Sequence, residues 1–111
     1  MATQKRTVDY LLEQAMSAGA MSTKPMFGEY GIYVDGKIIG SICDDRLYVK
    51  LTASGRLLAE PVSEVPPYPG AKPHLLIGAD RWDDAEWLGA LLRVTAEELP
   101  IPRPRKPKRS A

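Results

Sequence analysis

The stretch "GIYVDGKIIGSICDDRLYVKL", residues 31–51, constrains the fold more than any other part of the chain. Two β-rich runs are each broken by a short polar pair, Asp35-Gly36 and Asp44-Asp45. An Asp-Gly pair between such runs is a strong hairpin signal, because both central residues of the favoured turn take positive φ. Leu47, Val49 and Leu51 alternate with Tyr48 and Lys50, so one side of that run is apolar. Three or four antiparallel strands, joined as a meander, are expected over residues 21–51.

Helical periodicity flanks this block. Val8, Leu11, Leu12, Ala15 and Met16 recur at the spacing of one helix face, which predicts a helix over about 4–18. Thr3 or Thr7 is the expected cap, with Gly19 as the left-handed residue past its end. "TASGRLLAEP" reads as a short helix capped by Thr52 and closed by Pro61. "VSEVPPYPGAKP" reads as a loop and "HLLIGA" as a last strand. "DDAEWLGALLRVTAEEL" reads as a second long helix, with Asp83 and Glu86 as a capping-box-like start. Its expected buried stripe is Leu88, Leu91, Leu92, Thr95 and Leu99. The order α-β-β-β(-β)-α-β-α separates runs of strands from helices. It predicts an α+β fold: a small antiparallel sheet, a meander, with helices packed on one face.

With 111 residues the chain fits one small domain. Its single cysteine, Cys43, excludes an intrachain disulfide. No apolar run has the length of a membrane span, and the N-terminal stretch lacks a signal peptide's apolar core. The expectation is a cytoplasmic protein with no membrane contact. Residues 1–102 carry ten Lys/Arg against fourteen Asp/Glu, while "RPRKPKRSA" that follows carries five bases and no acid. A folded domain over 1–101 and a disordered, basic, Pro-rich tail over 102–111 are expected. Arg103, Arg105, Lys106, Lys108 and Arg109 are the candidates for phosphate contact, which gives weak, salt-sensitive nucleic-acid affinity. The same tail also suits an acidic protein, or no specific partner at all.

The glycines around residue 30 do not make a nucleotide loop. G-x-G-x-x-G spacing is missing, and Ile38 stands where a phosphate loop needs Ser or Thr. Instead, Gly28 and Gly31 are expected to permit a tight turn or bulge, with Tyr30, Ile32 and Val34 on one face and Tyr33 on the other.

These residues carry a resemblance. Lys24, Met26, Phe27, Gly28, Gly31, Ile32, Tyr33, Asp35 and Gly36, followed by Leu47, Tyr48 and Lys50, resemble the signature of the TfoX/Sxy N-terminal domain. "PPYPGAKP" is similar to the stretch that introduces that domain's last strand, and the likeness runs from about residue 5 to 100. The resemblance implies a fold similar to the secretion-chaperone-like group, and a backbone-shaping role for Met26, Phe27, Gly28, Gly31, Asp35 and Gly36. Two-domain members regulate natural DNA uptake in bacteria by assisting a cyclic-AMP receptor protein, and the family is not known for an enzymatic reaction. The resemblance therefore implies a non-enzymatic regulatory domain with a protein partner, such as a transcription factor. Lys24 stands where Arg is common, and the basic tail stands where two-domain members carry a helical domain.

No residue set suggests catalysis, a cofactor or a metal. His74 is the only histidine, and reads as structural or surface. Cys43 precedes two aspartates, which disfavour a thiolate. Asp83, Asp84 and Glu86 lack the spacing of a calcium loop and suit a helix start. Lys24, Tyr30, Tyr48 and Lys50 are candidates for partner contact on the open face of the sheet, a face that also suits single-stranded nucleic acid. Trp82 completes the contact candidates, on the expectation that one of Trp82 and Trp87 is exposed. An open sheet edge suggests a homodimer.

Overall fold

The computed structural model describes residues 3–26 and 29–99. Helix α1 (Lys5–Gln14) runs into a 3-10 turn at Met16–Ala18. Strands β1 (Met21–Met26), β2 (Glu29–Val34), β3 (Lys37–Cys43) and β4 (Arg46–Lys50) follow as a meander. Then come α2 (Ala53–Ala59), β5 (Ser63–Val65), β6 (His74–Ile77), a second 3-10 turn at Ala79–Arg81 and α3 (Ala85–Glu98). The six strands form one sheet in the order β1-β2-β3-β4-β6-β5, antiparallel throughout. This is the expected α+β fold with one strand more. β5 lies inside the segment read as a loop, and too few of its residues are apolar to announce a strand.

The polar pairs turn the chain as their chemistry requires. Asp35 and Gly36 have φ of 50° and 84°, and Asp44 and Asp45 have 54° and 58°. Aspartate tolerates this left-handed region better than most residues. The register of β2 against β3 slips by one: Ile32 faces Gly40, but Tyr33 faces Ile38. Ile39 is thus the extra residue of a bulge, and it turns into the core, fully buried. Beside it, a Cβ on Gly40 would lie 2.1 Å from the Tyr48 carbonyl oxygen, so only glycine lets β3 and β4 approach this closely.

One face of the sheet is closed by the helices. Ile32, Val34, Ile42, Leu47, Val49, Leu75 and Ile77 pack there against Val8 and Leu11 of α1 and Leu88, Leu91 and Leu92 of α3. The helix ends are fastened by groups from elsewhere in the chain. Asp45 accepts from Gln4 N (2.8 Å) and Thr7 Oγ1 (2.8 Å) at the start of α1. Glu98 accepts from Ala53 N and Ser54 N, both 2.9 Å, at the start of α2. Lys37 Nζ donates to Ala96 O (2.7 Å) and Leu99 O (3.2 Å) at the end of α3. Asp35 accepts from Ala20 N (2.8 Å) and from Arg93 Nη1 (2.9 Å) on α3. Acids at helix starts and a cation at a helix end also suit the helix dipole.

Three local expectations are corrected. The α-helix ends at Gln14, not 18, and the tighter 3-10 turn changes the phase. Met16 is therefore 69% exposed, and Ala18 is buried in its place. Neither Thr3 nor Thr7 caps α1. The cap position is Gln4, with no side-chain bond, while Thr3 Oγ1 donates to Glu29 and Ile42 O. α3 is capped by Asp84, whose carboxylate accepts from Trp87 N (3.1 Å), and Asp83 instead accepts from the Tyr10 hydroxyl. The cap of α2 is Thr52, as expected, accepting from Gly55 N at 3.0 Å.

At the open edge, Asp35 N donates to Ala20 O, which sets the hydrogen-bond phase of β1 against β2. Counting along β1 from that pair, Pro25 turns its missing N–H outward, where the ladder loses nothing.

Candidate functional site

The other face of the sheet is the candidate surface. Register assigns its side chains. Lys24 faces Gly31, Gly31 faces Ser41, Ser41 faces Tyr48 and Tyr48 faces Leu76. Next to this row, Lys50 faces His74 and His74 faces Val65. Among the described strand residues on this face, Glu29 is the one acid, and it is bonded to Thr3 Oγ1 and Asp44 N. The cations Lys24, Arg46 and Lys50 share the face with it.

A stiff segment, residues 66–73, connects β5 to β6 beside this face. Ala71 N donates to Tyr68 O (3.1 Å), and Gly70 has φ of 88°. Pro69 and Gly70 are therefore the central pair of a type II turn. Pro66, Pro67 and Pro73 restrict the rest. His74 Nδ1 lies 2.9 Å from Lys72 O. A carbonyl only accepts, so the proton sits on Nδ1 and Nε2 is left open. Between this segment and the sheet lies a groove of about 320 Å³. Ile38 and Ser41 line it from β3, Lys50 from β4, Tyr68 and Lys72 from the turn, and His74 from β6.

The residues expected to make contact fall into different places. Lys50 lies in the groove. Lys24 is exposed, with its ammonium 5.3 Å from the centre of the Tyr33 ring, a cation–π contact that occupies the ring. Tyr48 points to this face as expected but is only 5% exposed, so it supports the surface from below. Tyr30 is turned the other way and packs against the helix-side core. Trp82 is 6% exposed and donates Nε1–H to Ile77 O (3.0 Å); it is the anchor of the pair. Trp87 is the more exposed tryptophan, under the Arg81 guanidinium at 4.0 Å. Gly31 sits within β2 without a left-handed φ. Its missing side chain leaves room for Ile38 and Tyr33, each of which a Cβ would meet at 3.4 Å. Phe27 and Gly28 lie outside the described residues, as do Arg103, Arg105, Lys106, Lys108 and Arg109.

Tyr68 and Lys72 were not picked out from sequence, and His74 was read as structural or surface. The signal for Tyr68 was an aromatic inside a Pro-Gly segment, where no core needs it. For His74 there was none, because its pairing with Lys50 depends on β6 lying beside β4. Cys43 is buried on this face, with Sγ 3.6 Å from Ser41 Oγ. Burial pushes its thiol up, against nucleophilic use. Among the described residues, no three His, Cys, Asp or Glu side chains are grouped to hold a metal ion. Nor is any helix there long and apolar enough to cross a membrane.

The comparison with protein families agrees with this architecture. The model of the TfoX N-terminal domain matches residues 13–99. The chain belongs to the TfoX N-terminal domain family. It is also 41% identical over 108 residues to an "uncharacterized 12.7 kDa protein in trpE 5′ region" of Spirochaeta aurantia, covering 97% of this chain and 93% of that one. As a TfoX N-terminal domain, it is a competence-regulator-like domain, from a family not known for enzymatic activity.

Proposed function

We propose that this TfoX N-terminal domain is a non-enzymatic regulatory module that binds a protein and acts as a transcriptional co-regulator. Family membership supports the regulatory class. The observation that carries the binding role is the groove beside β4 and β6, where Lys50, Lys72 and His74 meet the exposed ring of Tyr68. Cations beside an exposed aromatic on a preorganised surface are the ingredients of recognition, and they need no reactive group. The test is genetic. Deleting the gene changes transcript levels of DNA-uptake genes; wild type restores them, and a Lys50→Glu/Lys72→Glu double variant does not. Unchanged transcripts after deletion defeat the proposal.

A second reading rests on the charge split, in which five bases follow residue 102 and the preceding residues carry an acidic excess. The tail then gives weak affinity for nucleic acid. Fluorescence anisotropy with duplex DNA should show binding that falls steeply with salt and is lost in a 1–101 truncation. Equal binding by both forms would sink this reading.

A further inference from the structure

We infer that the groove between the 66–73 segment and strands β3, β4 and β6 takes an extended acidic peptide of a partner protein. An apolar or aromatic side chain of that peptide is seated against Ile38 and Tyr68, with carboxylates beside Lys50 and Lys72. This deepens the proposed regulatory role and rests on it.

Four features support this occupant over the others. The first is charge. Lys50 and Lys72 line one groove, and Glu29, the acid among the described strand residues of this face, is held by Thr3 and the Asp44 amide. Charge complementarity of this kind selects an acidic partner and excludes the chain's own basic tail. The second is shape. Tyr68 is 57% exposed, so a small molecule in about 320 Å³ would stay half in water, whereas a peptide lying along the groove covers the ring. The third is the lack of stacking platforms. Single-stranded nucleic acid is held by successive free aromatic faces, but among the described residues Tyr48 is buried and one face of Tyr33 is covered by Lys24. Among the described residues of this face, Tyr68 alone does not make such a row. The fourth is stiffness. The prolines, the type II turn and the His74–Lys72 bond hold the wall of the groove before anything binds, which lowers the entropy lost on docking.

The test selects a random peptide display library on the full chain, with counter-selection on Lys50→Glu/Lys72→Glu. Enriched peptides should carry Asp and Glu around an aromatic or aliphatic residue. Titrated into labelled full-length protein, they should shift the backbone amides of Lys50, Tyr68, Lys72 and His74. Affinity should fall about tenfold or more in the double variant, fall also in Tyr68→Ala, and weaken with salt. Thermal melts of both variants should match wild type, so lost binding is not lost folding. Oligo-dT and inorganic phosphate serve as comparison probes. Neutral or basic enriched peptides, no enrichment on wild type, or stronger shifts with oligo-dT or phosphate would each overturn the inference. The deletion experiment separates the two claims. If transcripts respond to the gene and to the double variant but no acidic peptide binds, the regulatory role stands and the acidic ligand falls. If acidic peptides bind and transcripts never respond, the regulatory role falls.

Discussion

On one face of the sheet, Ile32, Leu47, Val49, Leu75 and Ile77 are fully buried beneath α1 and α3. On the other, Lys24 is exposed and Lys50 and His74 are half-buried beside an exposed Tyr68. The two faces alternate along the same strands, residue by residue. Leu47 and Val49 face the helices, while Tyr48 and Lys50 face the groove. The first face is where folding energy is concentrated, and on the second the exposed and half-buried side chains, unlike buried Tyr48 and Cys43, carry little of it. That separation predicts which substitutions unfold the domain and which leave it folded but altered in binding.

The largest effect should come from Gly40→Val, where both faces depend on one backbone contact. The new side chain has no room against the Tyr48 carbonyl, so β3 and β4 must part. A loss of about 3 kcal/mol or more is expected by chemical denaturation. A stable Gly40→Val protein would show that the bulge can relax. Next is Leu91→Ala on the helix face. It removes a fully buried side chain at the centre of α3 and should cost ~2–5 kcal/mol, with peptide binding unchanged once folded.

Smaller, and tied to pH, is the contribution of the fastening carboxylates. The Ser54 amide and hydroxyl, with the Ala53 amide, hold the Glu98 carboxyl below its ordinary range. The Gln4 amide and Thr7 hydroxyl do the same for Asp45. Each carboxyl is thus more acidic folded than unfolded. Its stabilisation is complete above the ordinary carboxylate pKa and is lost as pH falls through the lowered folded value. Glu98→Gln and Asp45→Asn should therefore destabilise at neutral pH and flatten the acid side of the stability curve. Curves that stay parallel to wild type would mean that these bonds do not titrate with unfolding. The smallest effect on stability should come from Lys50→Glu/Lys72→Glu, within about 0.5 kcal/mol of wild type, because neither lysine has a described ion pair to lose. A larger loss would mean that the groove side helps to hold the fold.

What could be read in advance divides along the same line. The α1 and α3 stripes, the Thr52 cap and both aspartate turns were legible, because each is a local pattern with a local cause. Met16 was misplaced because periodicity assumes an α-helical pitch that changes to 3-10 after Gln14. The roles of Asp45, Glu98 and Lys37 at helix ends were hidden, because each reaches a partner far along the chain. The groove was hidden for the same reason. Lys50 was legible as an outward residue of β4, but its neighbours Tyr68, Lys72 and His74 arrive only through the pairing of β4 with β6. Trp82 and Trp87 were exchanged because their spacing around the helix start does not say which ring turns inward.

The place of β6 between β4 and β5 also sets an order for synthesis. The β1–β4 meander joins neighbours in sequence and is ready to pair as soon as it is made. The far edge of β4 then waits for His74–Ile77, and the apolar side of the meander waits longer for Leu88, Leu91 and Leu92. A ribosome-bound chain therefore shows an unpaired strand and an apolar sheet that only α1 can cover through much of its translation. In that interval holdase chaperones have the most to grip, and slow codons between residues 51 and 85 would lengthen the exposure.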